Sequence, residues 1–227
     1  MHQLRGKQIP RRVFLYIFGI FIASIGVVLS VNAGLGVSPV NSLPFVLSRI
    51  TSLTMGTCLM IVMVACLSLE ILIMRKDFKW YNLARLLFVP IFGLFVDLGY
   101  LLIGGLYIPT YFGRLFMLLL GIPLISAGIS LHIAVQLIYL PPEGLADSIT
   151  KKLPNSQFHR VRMVLDMGFV SLAAILSLVF LSGLQGVREG TLLAAIFVGK
   201  CIPYTSRLVR PLVRKLGGPW GAAESVK

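Results

Sequence analysis

Ionisable side chains are scarce within the long apolar stretches of this 227-residue chain, and two of them occupy similar places. Asp97 lies near the middle of the third stretch and Lys200 near the middle of the sixth. Because a charge in hydrocarbon costs ~2.5 to 3.5 kcal/mol on insertion scales, each should face the protein interior and find a partner. We predict a buried Asp97–Lys200 ion pair, which either locks the protein together or forms a gating or proton-linked site.

A second polar group surrounds the end of the fourth apolar stretch. Gln136 lies late in that stretch, Glu143 follows in a proline-led segment, and Asp166 lies about one turn into the fifth stretch. Arg162 precedes Asp166 by four residues, a spacing that allows a salt bridge on one helix face. Two interpretations remain open: Glu143 and Asp166 bind a cation or an amine or pass protons, or they cap and solvate helix ends.

Three further polar residues are candidates for binding. His132 is central in the fourth stretch, where it is either a hydrogen-bonded interior residue or part of a proton path. Arg188 and Glu189 precede the sixth stretch in a glycine-flanked turn, where Arg188 holds a substrate anion or reaches a backbone carbonyl. The sequence contains none of the motifs G-x-S-x-G, H-E-x-x-H or the P-loop, and no histidine or cysteine cluster at ligand spacing. We therefore expect no catalytic residue, metal or cofactor.

The composition indicates that these residues are positioned by membrane-spanning helices. Hydrophobic residues make up 57% of the chain and charged residues 13%, and the mean hydropathy is +0.90, which excludes a soluble domain. A membrane crossing needs roughly 20 apolar residues. Six stretches have about that length, at residues 13–34, 54–74, 86–106, 115–139, 161–183 and 190–206. We predict an all-α membrane protein in which residues 1–227 form a single membrane domain.

The basic residues predict how the chain is oriented. If the N-terminus lies on side A, then side A collects 17 of the 21 lysines and arginines and side B only three. Such an excess marks the cytoplasmic side, so both termini are predicted to be cytoplasmic. The net charge of +13 thus indicates anionic lipid rather than nucleic acid as the partner. The residues expected to contact the inner leaflet lie in a basic tail, 207–227, and are Arg207, Arg210, Arg214 and Lys215.

The chain also contains an internal repeat. Residues 18–43 align without a gap with residues 120–145, and eight of the 26 pairs are identical at a constant offset of 102. Repeat 1 covers about 13–106 and repeat 2 about 115–206. Three crossings per repeat make the second copy inverted, a 3+3 plan that secondary transporters commonly use, with the site at the repeat interface near the midplane.

Each repeat contains a short proline-led segment, at residues 38–52 and 141–153. About 13 residues of helix reach only ~20 Å, so each segment is either a re-entrant half-helix or an amphipathic helix lying on the surface. Asn41 and Ser42 in the first segment correspond to Glu143 and Gly144 in the second. The candidate substrate-binding or ion-binding residues are therefore Asp97, Lys200, Glu143, Asp166, Asn41, Ser42, Gln136, His132, Arg188 and Glu189.

Four motifs give the chain a resemblance to a known family. They are VSPVNSLPFVLS at 37–48, FGLFVD at 92–97, LPPEG at 140–144 and GVREGT at 186–191. In order and spacing they resemble the recurring motifs of the YczE/YyaS/YitT family of bacterial integral membrane proteins, over about 13–207. The resemblance implies a multi-pass protein of the bacterial inner membrane, and it carries no established activity or ligand residue.

These observations favour a small secondary transporter or exporter of a small solute, with its site at the repeat interface. Two other functions remain open. One is a membrane-embedded binding or accessory subunit of a larger complex, and the other is a lipid flippase. A homo-oligomer is compatible with each of the three.

Overall fold

The computed structural model describes residues 9–215, except for 79, 107, 136–138, 154–155 and 182. All regular structure in these residues is helical, as predicted. The α-helices are α1 (Ile9–Asn32), α2 (Pro39–Thr51), α3 (Met55–Met74), α4 (Arg85–Ile103), α5 (Tyr111–Val135), α6 (Pro141–Lys152), α7 (Phe158–Phe180) and α8 (Glu189–Lys215). Two short 3-10 helices, Arg75–Asp77 and Trp80–Ala84, connect α3 to α4.

Six of the helices are long and apolar enough to cross a membrane: α1, α3, α4, α5, α7 and α8. The prediction of six transmembrane helices is therefore confirmed, and the chain is a multi-pass membrane protein. The last helix differs from the prediction, because α8 continues to Lys215 instead of ending near residue 206. The predicted basic tail therefore begins as a continuation of the last helix. The side chains of Arg210, Arg214 and Lys215 lie outside the described part of the chain.

The two proline-led segments form the short helices α2 and α6. Pro39 opens α2, and Pro141 and Pro142 open α6, at positions where the missing backbone N–H has no helical partner to lose. Ser52 ends α2 in the left-handed region, with a φ of 59°. The N-terminal ends of both helices are buried, whereas Thr51 and Lys152 at their C-terminal ends are partly or fully exposed.

Helices α1 and α5 cross closely and antiparallel at the centre of the protein. A Cβ added to Gly26 would lie 2.8 Å from the carbonyl oxygen of Gly121, and one added to Gly128 would lie 2.6 Å from that of Gly19. Gly26 thus faces Gly121, which the repeat alignment pairs with Gly19. Gly19 in turn faces Gly128, which the alignment pairs with Gly26. Glycine is required here because the two backbones touch, as in small-residue helix packing in membranes.

Helices α4 and α8 flank this central pair with the same register. On α1, the rings of Tyr16 and Phe88 are 4.6 Å apart, and the amide of Asn32 donates to the carbonyl of Ile103 at 2.6 Å. On α5, the hydroxyl of Ser126 donates to the carbonyl of Val198 at 3.2 Å, and the hydroxyl of Ser130 donates to that of Ile202 at 3.3 Å. Each flanking helix runs parallel to its central partner. In all four contacts the two residues are 71 or 72 positions apart in the sequence.

The short helices pack against the opposite half of the chain. Helix α2 packs on α7 and α3, whereas α6 packs on α3 and α7. One apolar cluster joins all four helices, and its buried members are Leu43 and Val46 of α2, Val62 and Cys66 of α3, Leu145 of α6 and Ala173 of α7. Helices α3 and α4 pack extensively, but α7 and α8 make at most a marginal contact.

Candidate functional site

The centre of the site is a buried ion pair between α3 and α4. The Arg85 guanidinium, at the start of α4, donates to the carboxylate of Glu70, which lies one turn before the end of α3. The side chains are only 5% and 2% exposed. The 3-10 helices between α3 and α4 form the turn that brings the two residues together, and Asn82 from this turn donates to Glu70 at 3.4 Å. Because both charges are buried, each depends on the other for compensation.

Arg85 also fixes the position of α6. A Cβ added to Gly144 would overlap the Arg85 guanidinium, so only glycine permits this approach. Eight residues later, Lys152 donates to Asp77 at 2.9 Å, just beyond the end of α3. Helix α6 therefore runs alongside α3 in the same direction, and Gly144 lies ~12 Å from the level of Lys152 at the rise of an α-helix.

Glu143 lies beside this contact, in the first turn of α6. The residue is half-buried, and four neighbours act on its carboxyl group: Arg162, the backbone of Leu140, Arg85 and Asp166. Burial raises the pKa of Glu143, and the two guanidinium groups oppose that effect. The residue thus occupies the capping-box position of α6, where a glutamate reaches back to the backbone at the start of the helix.

The second ion pair of the site lies on α7. Arg162 Nε donates to the carboxylate of Asp166 at 3.2 Å, which confirms the predicted four-residue salt bridge. Asp166 also acts electrostatically on Glu143, with which the sequence analysis grouped it. The remaining member of this predicted group, Gln136, lies outside the described residues.

Tyr16 and His132 extend the site into the interface between α1 and α5. Tyr16 is 1% exposed, and its hydroxyl group interacts electrostatically with Glu143 and Arg85. Its ring lies 4.6 Å from that of His132, which is 5% exposed. Neither His132 nitrogen makes a hydrogen bond within the described part of the chain, and the same holds for Arg85 Nε. Buried polar groups of this kind are normally satisfied by water or a ligand.

The structure does not form the predicted ion pair between Asp97 and Lys200. Asp97 accepts hydrogen bonds from the Thr54 hydroxyl at 2.7 Å and from the Gly56 N–H at 2.8 Å, so it caps the first turn of α3. Lys200 is exposed on α8. The pair is absent because α4 and α8 flank the central helices instead of meeting each other. Asp97 lines a cavity of about 350 Å³ together with Arg49 of α2, and this cavity does not include Glu143.

The other predicted residues lie on the far side of the protein from Glu143 or have local partners. Asn41 Nδ2 donates to Ser38 Oγ at 2.8 Å, and Ser42 Oγ donates to the Pro39 carbonyl at 2.6 Å, all within the buried start of α2. Arg188 donates to the Gly34 carbonyl at 3.4 Å, and it lies 3.9 Å from the exposed Glu189. The contact between Arg188 and Gly34 joins the turn before α8 to the turn before α2.

Sequence reasoning missed Glu70 and Arg85, although the signal was present. Glu70 is an acidic residue within a long apolar stretch, and Arg85 is the last basic residue before the next stretch. Two such residues on either side of a helical hairpin turn are brought together when the helices pack antiparallel. Within the described residues, no group of three or more histidines, cysteines and acidic residues is placed to hold a metal ion.

Comparison with known proteins identifies relatives but no activity. The profile of a family described as "Family of unknown function (DUF6198)" matches residues 10–207. The "Uncharacterized membrane protein YczE" of Bacillus subtilis (strain 168) is 26% identical over 202 residues, which cover 88% of this chain and 87% of the relative. No solved structure matches the chain significantly. The resemblance seen in the four motifs is thus confirmed.

Proposed function

The chain belongs to the Family of unknown function (DUF6198), and from its helix packing we propose that it is a secondary transporter of a small solute. The transporter is built as a 3+3 inverted repeat, and the solute site lies between the repeats, around Glu143. The packing of each short helix on the opposite repeat is the observation that carries this proposal. The protein is not an enzyme and needs no cofactor.

The inverted repeat is supported by the symmetry of the packing. The antiparallel glycine crossing of α1 and α5 maps onto itself when the two repeats are exchanged. The same exchange turns the α1–α4 contacts into the α5–α8 contacts and the α2–α7 pair into the α6–α3 pair. A two-fold axis lying in the membrane plane relates such repeats in many secondary transporters.

The half-helix role of α6 is supported by its contacts with α3. The ion pair between Lys152 and Asp77 shows that the end of α6 is level with the end of α3, and Gly144 meets Arg85, the partner of Glu70, deeper in the protein. The positive end of the α6 dipole then points into the membrane interior, as in transporters with broken helices. Helix α2 enters the same apolar cluster from the other side.

The site around Glu143 suits a transporter because five helices contribute to it. Glu70, Arg85, Glu143 and Asp166 come from α3, α4, α6 and α7, and Tyr16 comes from α1. A ligand bound there would contact both repeats at once. Its binding free energy could therefore shift the equilibrium between two arrangements of the repeats.

The proposal also includes the cellular setting. The excess of basic residues on side A supports a cytoplasmic location for both termini, and the membrane of this proposal is the inner membrane of a bacterial cell. Arg207, Arg210, Arg214 and Lys215 contact anionic lipid there. A homo-oligomer is compatible with this setting.

A ligand screen followed by a transport assay tests the proposal. The purified protein is screened by thermal shift against metabolites, amines, anions and lipids, and each binder is then tested for uptake into proteoliposomes. A binder at a hundredfold excess over its Kd stabilises by about 2.7 kcal/mol. We expect a solute whose stabilisation and uptake are lost in Glu143→Gln and retained in Asp147→Asn, a matched change of an exposed carboxylate on the same helix. Uptake that is unaffected by Glu143→Gln would contradict this location of the site.

One observation favours a second candidate function, that of a membrane-embedded subunit of a larger complex. Lys200 is exposed within the membrane-spanning part of α8, and the spans of α7 and α8 are each only 11% buried. A partner chain covering this surface would compensate the lysine charge. Copurification of a partner that is lost in Lys200→Leu would favour this function.

A further inference from the structure

Glu143 is the one carboxylate of the described site without an ion pair of its own. Glu70 pairs with Arg85, and Asp166 pairs with Arg162. The charged groups that act on Glu143 are these two arginines and Asp166, so each of its cationic neighbours already has an acidic partner. The uncompensated charge in a protein interior is the one that is best neutralised by binding a cation.

We infer that Glu143 is the binding site of a proton, which this transporter couples to movement of its solute. This inference rests on the proposed function for the coupling, but the proton site itself does not depend on it. The groups that face Glu143 are Tyr16 of α1, Arg85 of α4 with its partner Glu70 of α3, and Arg162 and Asp166 of α7.

The close packing of the backbone next to Glu143 favours a proton over a larger cation at this carboxylate. The next residue, Gly144, is in contact with the Arg85 guanidinium so closely that even a methyl group would overlap it. A metal ion would need several oxygen ligands, and an amine would need room for its substituents beside a guanidinium. A proton needs neither, because it bonds directly to the carboxylate.

Unpartnered polar groups provide a path for the proton. His132 is nine-tenths buried or more, neither of its nitrogens is hydrogen-bonded within the described residues, and its ring packs on that of Tyr16. Arg85 Nε is likewise buried without a partner in the described chain. Water molecules bound to these groups would connect Glu143, through Tyr16, to the interface of α1 and α5. A proton bound to Glu143 would thus change the charge next to the interface of α1 and α5.

Infrared difference spectroscopy on the full chain in lipid tests the proton site without any solute. Acidification from pH 8 to pH 5 should produce the C=O stretching band of a protonated carboxylic acid. We expect this band to be lost in Glu143→Gln and retained in the matched control Asp147→Asn. Retention of the band in Glu143→Gln would overturn the inference, as would the absence of a band in the wild type.

Isotope labelling keeps the test decisive if Glu143→Gln folds poorly. Glutamates labelled with carbon-13 in the wild type shift the band if it arises from glutamate, and an unshifted band overturns the inference. Glu189→Gln, at the exposed start of α8, is then expected to leave the labelled band in place, and its loss in that variant would overturn the assignment to Glu143.

Coupling is tested separately with a solute from the thermal-shift screen. Uptake into proteoliposomes should respond to an imposed pH gradient in the wild type and in Asp147→Asn. Uptake independent of the gradient would overturn the coupling and leave the transporter intact. A proton band without transport of any solute would overturn the proposed function and leave the proton site standing.

Discussion

Burial decides how much each ion pair of this protein matters. The Glu70–Arg85 pair is almost fully enclosed, whereas the Lys151–Asp147 pair on α6 is largely exposed. Removing one partner of an enclosed pair leaves a charge without compensation in a low-dielectric surrounding. Exposed pairs are screened by solvent and are worth little. The two pairs therefore make a natural comparison.

We expect Glu70→Gln to lower the free energy of unfolding by ~3 to 5 kcal/mol, because it leaves the Arg85 charge buried and unpaired. The exposed control, Lys151→Ala, should change it by at most about 1 kcal/mol. Reversible unfolding in bicelles measures both values. Equal losses in the two variants would show that the enclosed pair is not a structural element of the fold.

The pH dependence of stability provides a second prediction at this scale. Because burial raises the pKa of Glu143 in the folded chain, protonation of Glu143 favours the folded state. The stabilisation of the folded state by protonated Glu143 is complete below the pKa of glutamate in the unfolded chain. It is lost as the pH rises through the pKa of Glu143 in the folded chain. The Tm of the wild type should therefore fall more steeply with rising pH than that of Glu143→Gln. Asp147→Asn should follow the wild type, and parallel curves for all three would contradict the prediction.

Local contacts were predictable from the sequence, and distant ones were not. The Arg162–Asp166 bridge followed from a spacing of four residues on one helix. The predicted Asp97–Lys200 pair is wrong because α4 packs on α1 and α8 packs on α5, so that α4 and α8 make at most a marginal contact with each other. The sequence does not say which helices are central. Glu70 and Arg85 meet through a turn whose geometry the hydrophobic pattern does not specify.

At the scale of elements, the crossing of α1 and α5 depends on glycines. Backbone contacts at Gly26 and Gly128 leave no space for a side chain, whereas a Cβ on Gly168 of α7 would meet nothing within 4 Å. The offset of 102 residues already paired Gly19 with Gly121 and Gly26 with Gly128 in the sequence. The structure adds that these four glycines form one interface.

We expect Gly128→Leu to destabilise the protein by more than the ~1 to 3 kcal/mol typical of an overpacked core, because the obstacle is backbone. The matched change Gly168→Leu should be tolerated. The yield of monodisperse protein and its Tm report both effects. If the two variants behaved alike, a close crossing of α1 and α5 would be excluded.

At the scale of the whole molecule, the two repeats differ in how their last two helices pack. Gly56 of α3 approaches the backbone of Gly93 on α4, and Asp97 caps the same turn. At the offset of 102, Phe158 takes the place of Gly56, so the first turn of α7 lacks the glycine that permits this approach. The six spans were predictable from hydropathy, but this asymmetry depends on side-chain size at a contact that the sequence alone does not reveal.

The proposed topology predicts which positions are accessible from each side of the membrane. Ser52→Cys, after α2, should react with an impermeant maleimide added to whole cells, whereas Leu153→Cys, after α6, should react only after the cells are opened. The native cysteines Cys58, Cys66 and Cys201 are first replaced to remove background labelling. Labelling of both positions from the same side would contradict the inverted repeat.

The packing of each short helix on the opposite repeat also sets an order of events during synthesis. Helix α2 ends at Thr51, and its partner α7 begins only at Phe158. At 5 to 20 residues per second, a ribosome takes roughly 5 to 20 s to make the intervening chain. During that interval the start of α2, with Asn41 and Ser42, has no α7 to cover it. The first half of the protein therefore depends on lipid or the insertion machinery until the second half arrives.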